Sequence, residues 1–337
     1  MSGRILRRSI RLSMLALVLT WAFGLTAIER RRMRSTAVAG TSAHSPVLVD
    51  AMSLIADVRA LSAVSMEGRL TGSGGNHRAQ AFILDRFKTL GLRPVAGSYD
   101  RKFSFVHHSV KGLLTPGRKY TTFYPDATNL AGMLLGSLHP DAWLIVSAHF
   151  DHLGIRGGEL YPGADDNASG VAAILAAAAY FAAHPPRHSI LFAAFDAEEQ
   201  GLRGSREFAA RPLIELQRVQ LLVNMDMVSR GDHGFIVASG TRGDEGLRQL
   251  VTSAAATRQI SVQFGHDRPV SLAGRIEDWT HSSDQGPFHD AGVRTLYFGV
   301  EDHADYHGPG DTADRIPLPF FTEASSLVIA TLVEADR

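Results

Sequence analysis

Five short polar runs hold the residues whose types and spacing could do chemistry. They are His149-Phe150-Asp151-His152, the stretch Gly163-Ala164-Asp165-Asp166-Asn167-Ala168-Ser169-Gly170, Asp196-Ala197-Glu198-Glu199, Asp226, and Asp305-Tyr306-His307. Each alone has an ordinary structural reading. A histidine at a strand end is usually a satisfied polar residue. Asp165-Asp166-Asn167 suits a turn and a helix N-cap. Glu198-Glu199 suits a solvated helix start, favoured by the helix dipole. Together they form a donor set of carboxylates and imidazoles, which suits zinc, manganese or cobalt. The carboxylates outnumber what one catalytic zinc needs, which points to two ions. The chain has no cysteine, which excludes thiolate sites, iron–sulfur clusters, disulfides and a cysteine nucleophile.

The elements that must position these runs are legible from hydrophobic pattern. Ala142–Ala148, Ser189–Phe195 and Gln220–Met225 are continuous apolar runs, as expected of buried strands. Phe235–Ala238, Ser261–Phe264 and Thr295–Gly299 add shorter strands, and Lys102–Val106 and Asn129–Leu135 read as extended. Helical spacing marks Pro46–Leu61, Asn76–Leu90, Gly170–Ala183, Gly204–Ala210, Asp244–Thr257 and Phe320–Glu334, with Gly91 as a stop after the second. Residues 107–125 read as loop. Strands alternating with helices predict a single α/β domain: a mixed, mainly parallel twisted sheet with helices on both faces. In such sheets ligands bind beyond the carboxyl ends of the strands, and four of the runs follow predicted strands.

The 337 residues include 34 basic and 34 acidic side chains. The balance conceals two unlike parts. Residues 1–34 carry eight arginines against one acid, Glu29, a net of +7. The remainder has 26 basic and 33 acidic residues, a net of −7. A globular part of that sign offers no footprint for nucleic acid. Residues 1–11 form a basic n-region, and Leu12 to Ile28 run without a charge until Glu29. That pattern is a signal peptide or a membrane anchor. Residues 29–45 read as linker and 46–337 as the folded domain. Export follows, to the periplasm or the outside, with membrane contact only through residues 12–28 if they are retained.

The motifs SAHFDHLG (147–154), GADDNASG (163–170), FDAEEQGLRGS (195–205), NMDM (224–227), SSDQGPF (282–288) and DYHGPGDTADRI (305–316) resemble those of the M28 family of di-zinc aminopeptidases. MEGRLTGSGGNHRAQ (66–80) and NLAGMLLGS (129–137) are similar to the upstream part of the same family. The resemblance spans roughly residues 50–335 and is closest to the compact members, which lack a protease-associated domain. It implies the zinc-dependent exopeptidase fold and two Zn2+ ions, with Co2+ or Mn2+ as alternatives. It further implies that His149 and Asp226 bind one metal, that Glu199 and His307 bind the other, and that Asp165 bridges them. Glu198 would be the general base acting on a zinc-bridged water. Asp151 would hold the His149 ring, and the Asp165–Asp166 peptide would be cis. Tyr306 has two readings, hydrogen-bond donor to the developing oxyanion or simple packing. His152 is near the same edge but is no ligand in the family. Gln285 stands where many relatives have histidine. His303 is either a partner of a ligand or a surface residue, and Arg230 reads as a structural ion pair. The implied activity is removal of N-terminal residues from peptides. The alternatives are a glutaminyl cyclase or carboxypeptidase on the same fold, or a binding ectodomain without catalysis.

Overall fold

The computed structural model describes residues 38–39, 47–110, 119–268 and 277–337. The expected n-region and apolar run, and most of the linker, lie outside them. The described chain runs through helix α1 (Ala51–Leu61), helix α2 (Gly74–Thr89), strands β1 (Asp100–Val110), β2 (Lys119–Leu134) and β3 (His139–His149), then helix α3 (Gly170–Ala183) and strand β4 (His188–Phe195). Helix α4 (Arg203–Ala210), strands β5 (Val219–Met225) and β6 (Phe235–Ser239), helix α5 (Glu245–Ala255), strand β7 (Ser261–Phe264), helix α6 (Gln285–Asp290), strand β8 (Thr295–Gly299) and helix α7 (Leu318–Ala335) follow.

Local chemistry explains the helix starts. The Asp50 carboxylate accepts from the amides of Met52 and Ser53 to cap α1, and the Ser73 hydroxyl accepts from the Asn76 amide to cap α2. Gly91, at φ 74°, follows the end of α2 in the left-handed conformation that glycine tolerates.

The strands form one mixed sheet in the order β7-β6-β8-β5-β3-β4-β2, with β1 paired to β2. The central neighbours β8, β5, β3 and β4 run parallel, while β2 and β6 run antiparallel to their neighbours β4 and β8. Side chains alternate across the sheet. Ile145, Leu191, Phe195 and Leu222 join Phe208 of α4 and Phe288 of α6 in one core cluster. Leu144, Val146 and Ala148, pointing the other way, are fully buried beside α3. Helices α1, α3, α5 and α7 make one connected layer, and α4 packs on α6.

Register brings the chemistry to one edge. His149 stands level with Phe195, so Asp196–Glu199 continues just past it. Ser147 stands level with Asn224, which sets Asp226 two residues on, beside His149. The chain order reverses at β3, whose neighbours β4 and β5 come later in sequence on opposite sides, and such a switch point opens a crevice.

One expectation is corrected. Within the stretch 107–125, expected as loop, 107–110 and 119–125 are strand and belong to the long antiparallel β1–β2 pair. The pairing shifts between Phe103↔Ala127 and Phe105↔Tyr124, so Pro125 falls in a bulge, where a residue without an amide hydrogen is tolerated.

Helix α3 begins hard against the sheet. A Cβ on Gly170 would lie 2.7 Å from the Met225 carbonyl oxygen and 2.9 Å from the Ala148 Cβ. Gly170→Ala is therefore expected to cost about 1–3 kcal/mol of stability through overpacking. A urea midpoint equal to that of the parent chain would contradict this close approach.

Candidate metal centre

His149 ends β3 and is buried. Its Nδ1 lies 3.1 Å from the main-chain oxygen of Asp151. A carbonyl only accepts, so Nδ1 carries the hydrogen and the Nε2 lone pair is free to ligate. Nε2 lies 3.1 Å from Asp226 Oδ1 and 3.3 Å from Asp166 Oδ1. On the other side of the same carboxylate, Asp166 Oδ2 is 3.1 Å from His307 Nε2, which is 3.5 Å from Glu199 Oε2. Asp166 thus offers one oxygen to each of two groups.

This corrects the expectation for the bridging position. Asp165 is buried but turned away from both groups. Its Oδ1 accepts from the amide and hydroxyl of Ser229, at 2.8 and 2.7 Å, and its Oδ2 lies 3.2 Å from His303 Nε2. Two adjacent aspartates point opposite ways, and only the second reaches the strand ends. The cis peptide is likewise one residue later, at Asp166–Asn167. Asn167 ties this turn to the end of β5: its side-chain amide donates to Met225 O at 2.9 Å, and its Oδ1 accepts from Gly170 N at 2.9 Å.

Asp151 also differs from its expected part. Its carboxylate stands 3.7 Å from His149 Nδ1, beyond hydrogen-bond reach. Instead it accepts from the amides of Glu198 and Glu199, at 3.0 and 3.4 Å. Asp151 therefore orients His149 through its carbonyl and the two glutamates through its carboxylate.

Glu198, Glu199, Asp166, Asp226, Tyr306 and His307 line a cavity of ≈ 300 Å³, with Met227 and His281 at its wall. Three residues that carry or adjoin these groups adopt the left-handed backbone region without being glycine: Ala197 before Glu198, Met227 after Asp226, and His307 itself. Such conformations recur where a site must aim a side chain. Tyr306 stacks on the His307 ring, with centroids 4.0 Å apart. Burial and then the charges of Asp166 and Asp226 raise its pKa, so the hydroxyl stays a hydrogen-bond donor.

The electrostatics suit cations. Burial first, then the charges of Asp226, Asp284 and Glu199, push Glu198 well above the usual carboxylate range, against the opposing pull of His149. Glu199 is pushed up by burial and Asp166. Asp284, also buried, is raised to about 7, chiefly by burial. Crowded buried carboxylates are costly unless paired or metal-bound. His152 adds to the picture. It is fully buried, burial lowers its pKa to about 4, and its Nδ1 sits 2.8 Å from Glu199 Oε1 without an aligned hydrogen bond from either atom. His149, Asp166 and Asp226 on one side, and His152, Asp166 and Glu199 on the other, each bring ligand atoms close enough to share an ion. The residues present fit two divalent cations.

A family model described as Peptidase family M28 matches residues 129–332. The chain belongs to peptidase family M28. Among curated relatives, the aminopeptidase YwaD of Bacillus subtilis is 30% identical over 214 residues, 59% of this chain and 42% of that protein. The chain spans about half the length of the curated relatives it matches. A zinc aminopeptidase from Bacillus subtilis superposes with a TM-score of 0.66 at 18% identity, over 87% of this chain and 96% of that one. A glutaminyl cyclase from Fimbriiglobus ruber gives 0.66 at 19% identity, over 88% and 98%. Both structures share the fold of this chain.

The remaining candidates have structural places. Gln285 is buried, donates to Trp279 O at 2.6 Å and accepts from Asn224 at 3.0 Å. Arg230 pairs with Asp232 and Asp305, each at 3.0 Å. His303 is a buried neighbour of Asp165. Among the described residues, two helices are long and apolar enough to cross a membrane, Ala164–Ala183 and Leu318–Ala335, and both are mostly buried in the fold. Sequence reasoning gave no role to Asp166, Arg69 or Asp311. All three lie inside motifs quoted above; the part of Asp166 emerges from side-chain contacts with His149 and His307, and those of Arg69 and Asp311 from contacts with distant backbone.

Proposed function

We propose that this M28 chain is a two-zinc aminopeptidase that removes N-terminal residues from peptides. One observation carries the reading: the Asp166 carboxylate offers its two oxygens to two separate groups of imidazole and carboxylate. His149 and Asp226 would hold one ion, Glu199 and His307 the other, and Asp166 both. When bound, the zinc ions supply Lewis acidity towards the scissile carbonyl and lower the pKa of water. Glu198 takes a proton from the attacking water and passes it to the leaving amine. The Tyr306 hydroxyl donates to the carbonyl oxygen as it gains charge. Asp151 fixes both glutamates through their amides. Residues 12–28 carry the peptidase domain, 46–337, out of the cytoplasm or anchor it there.

The likeness to a glutaminyl cyclase keeps a second reading in view. The two are separated by metal analysis together with a panel of aminoacyl p-nitroanilides and an N-terminal glutaminyl peptide. The aminopeptidase reading predicts amine release that is abolished by chelator and restored by zinc. Cyclisation of the glutaminyl peptide with one zinc per chain would favour the cyclase. Hydrolysis that survives complete removal of metal would overturn both.

A further inference from the structure

Two buried side chains of opposite charge grip the loop that carries Asp166, and neither is a ligand candidate. Arg69 is fully buried and spends its donors on carbonyls. Nη1 donates to Pro162 O and Leu61 O at 2.7 Å each, Nη2 to Gly163 O at 2.8 Å, and Nε to Phe150 O at 2.7 Å. Among the described residues no carboxylate lies within ion-pair distance of it. Asp311 is also fully buried. Its carboxylate accepts from the Asp165 amide at 2.9 Å and the Asp166 amide at 3.0 Å, while its carbonyl accepts from the Ala164 amide at 3.1 Å.

The consequence is specific. The carbonyls of Pro162 and Gly163 face the cation, and the next three amides face Asp311. Charge-assisted hydrogen bonds of this kind are stronger than neutral ones. Arg69 also holds the carbonyl next to His149, and Asp311 lies four residues after His307. Three ligand-bearing segments are thereby joined at the backbone. A lysine could not reproduce the planar fork that reaches separate acceptors.

We propose that Arg69 and Asp311 are positioning residues that pre-set the Asp166 carboxylate before metal arrives, and so govern the affinity of both metal sites. The proposal rests on the two-zinc reading. Its test is zinc titration of the full-length protein against a competing chelator, for the parent chain, Asp311→Asn and Arg69→Lys. Both variants are expected to bind zinc about 10–100-fold more weakly, the range known for outer-shell partners of metal ligands, with activity recovering at excess zinc. A folded Asp311→Asn that binds two zinc ions at parental affinity overturns the proposal. Should the variants fail to fold, hydrogen exchange on the metal-free parent protein decides. Protected amides at Asp165 and Asp166 support a clamp that precedes metal, and rapid exchange there overturns it. A parent chain that takes up fewer than two zinc ions sinks the two-zinc reading instead, and the exchange measurement then judges the clamp separately.

Discussion

Replacing Glu198 by glutamine is expected to lower kcat by about 10²–10⁴-fold, the usual contribution of a positioned acid–base group, while bound zinc stays at the parental level. The two halves of this expectation come from different observations. Glu198 lines the cavity beside Asp166 and Asp226, so it faces the space a reacting water must occupy. Its neighbour Glu199 is the one within reach of His307 and His152. Ala197, at φ 60°, and the hold of Asp151 on both amides turn the two successive glutamates to different tasks. Glutamine keeps the shape and the main-chain bonds and removes only the proton acceptor. Steady-state kinetics with metal analysis of the same sample checks this. A variant with more than a tenth of parental kcat, or one that has lost zinc, would contradict the division of labour.

The second large effect separates two neighbouring aspartates. Asp166→Asn is expected to weaken zinc binding at both sites by more than about 100-fold, beyond what outer-shell partners alone produce, because each group loses a charged oxygen. Asp165→Asn should keep both metals. Its Oδ1 is engaged with Ser229 and Ser169, and an amide retains an acceptor there. The expected cost is about 1–3 kcal/mol of stability from disturbed buried hydrogen bonds. Isothermal titration with zinc and urea denaturation of both variants tests the pair. Metal loss in Asp165→Asn with retention in Asp166→Asn would reverse the assignment.

That single-residue distinction marks the boundary of what the sequence could say. The strands around Ile145, Leu191 and Leu222 were legible because both faces of the sheet are covered, so the runs are apolar throughout. The convergence of His149, Glu198 and Asp226 followed from strand ends that share a direction. Spacing cannot decide between Asp165 and Asp166, since either carboxylate could leave the turn towards the edge. The decision lies in contacts far along the chain, with Ser229 and His303 on one side and the strand ends on the other. Arg69 and Asp311 were hidden for a related reason: their partners are backbone groups, which every residue carries. The β1–β2 pair was misread because Pro125 and the polar run around it resemble a loop, whereas a bulge accommodates the proline.

The two-ion centre built on Asp166 is tested most directly by anomalous scattering at the zinc edge from crystals of the zinc-loaded protein. Two peaks per chain, one among His149, Asp166 and Asp226 and one among Asp166, Glu199 and His307, are the predicted result. A single peak, or peaks contacting Asp165 and leaving Asp166 free, would contradict it.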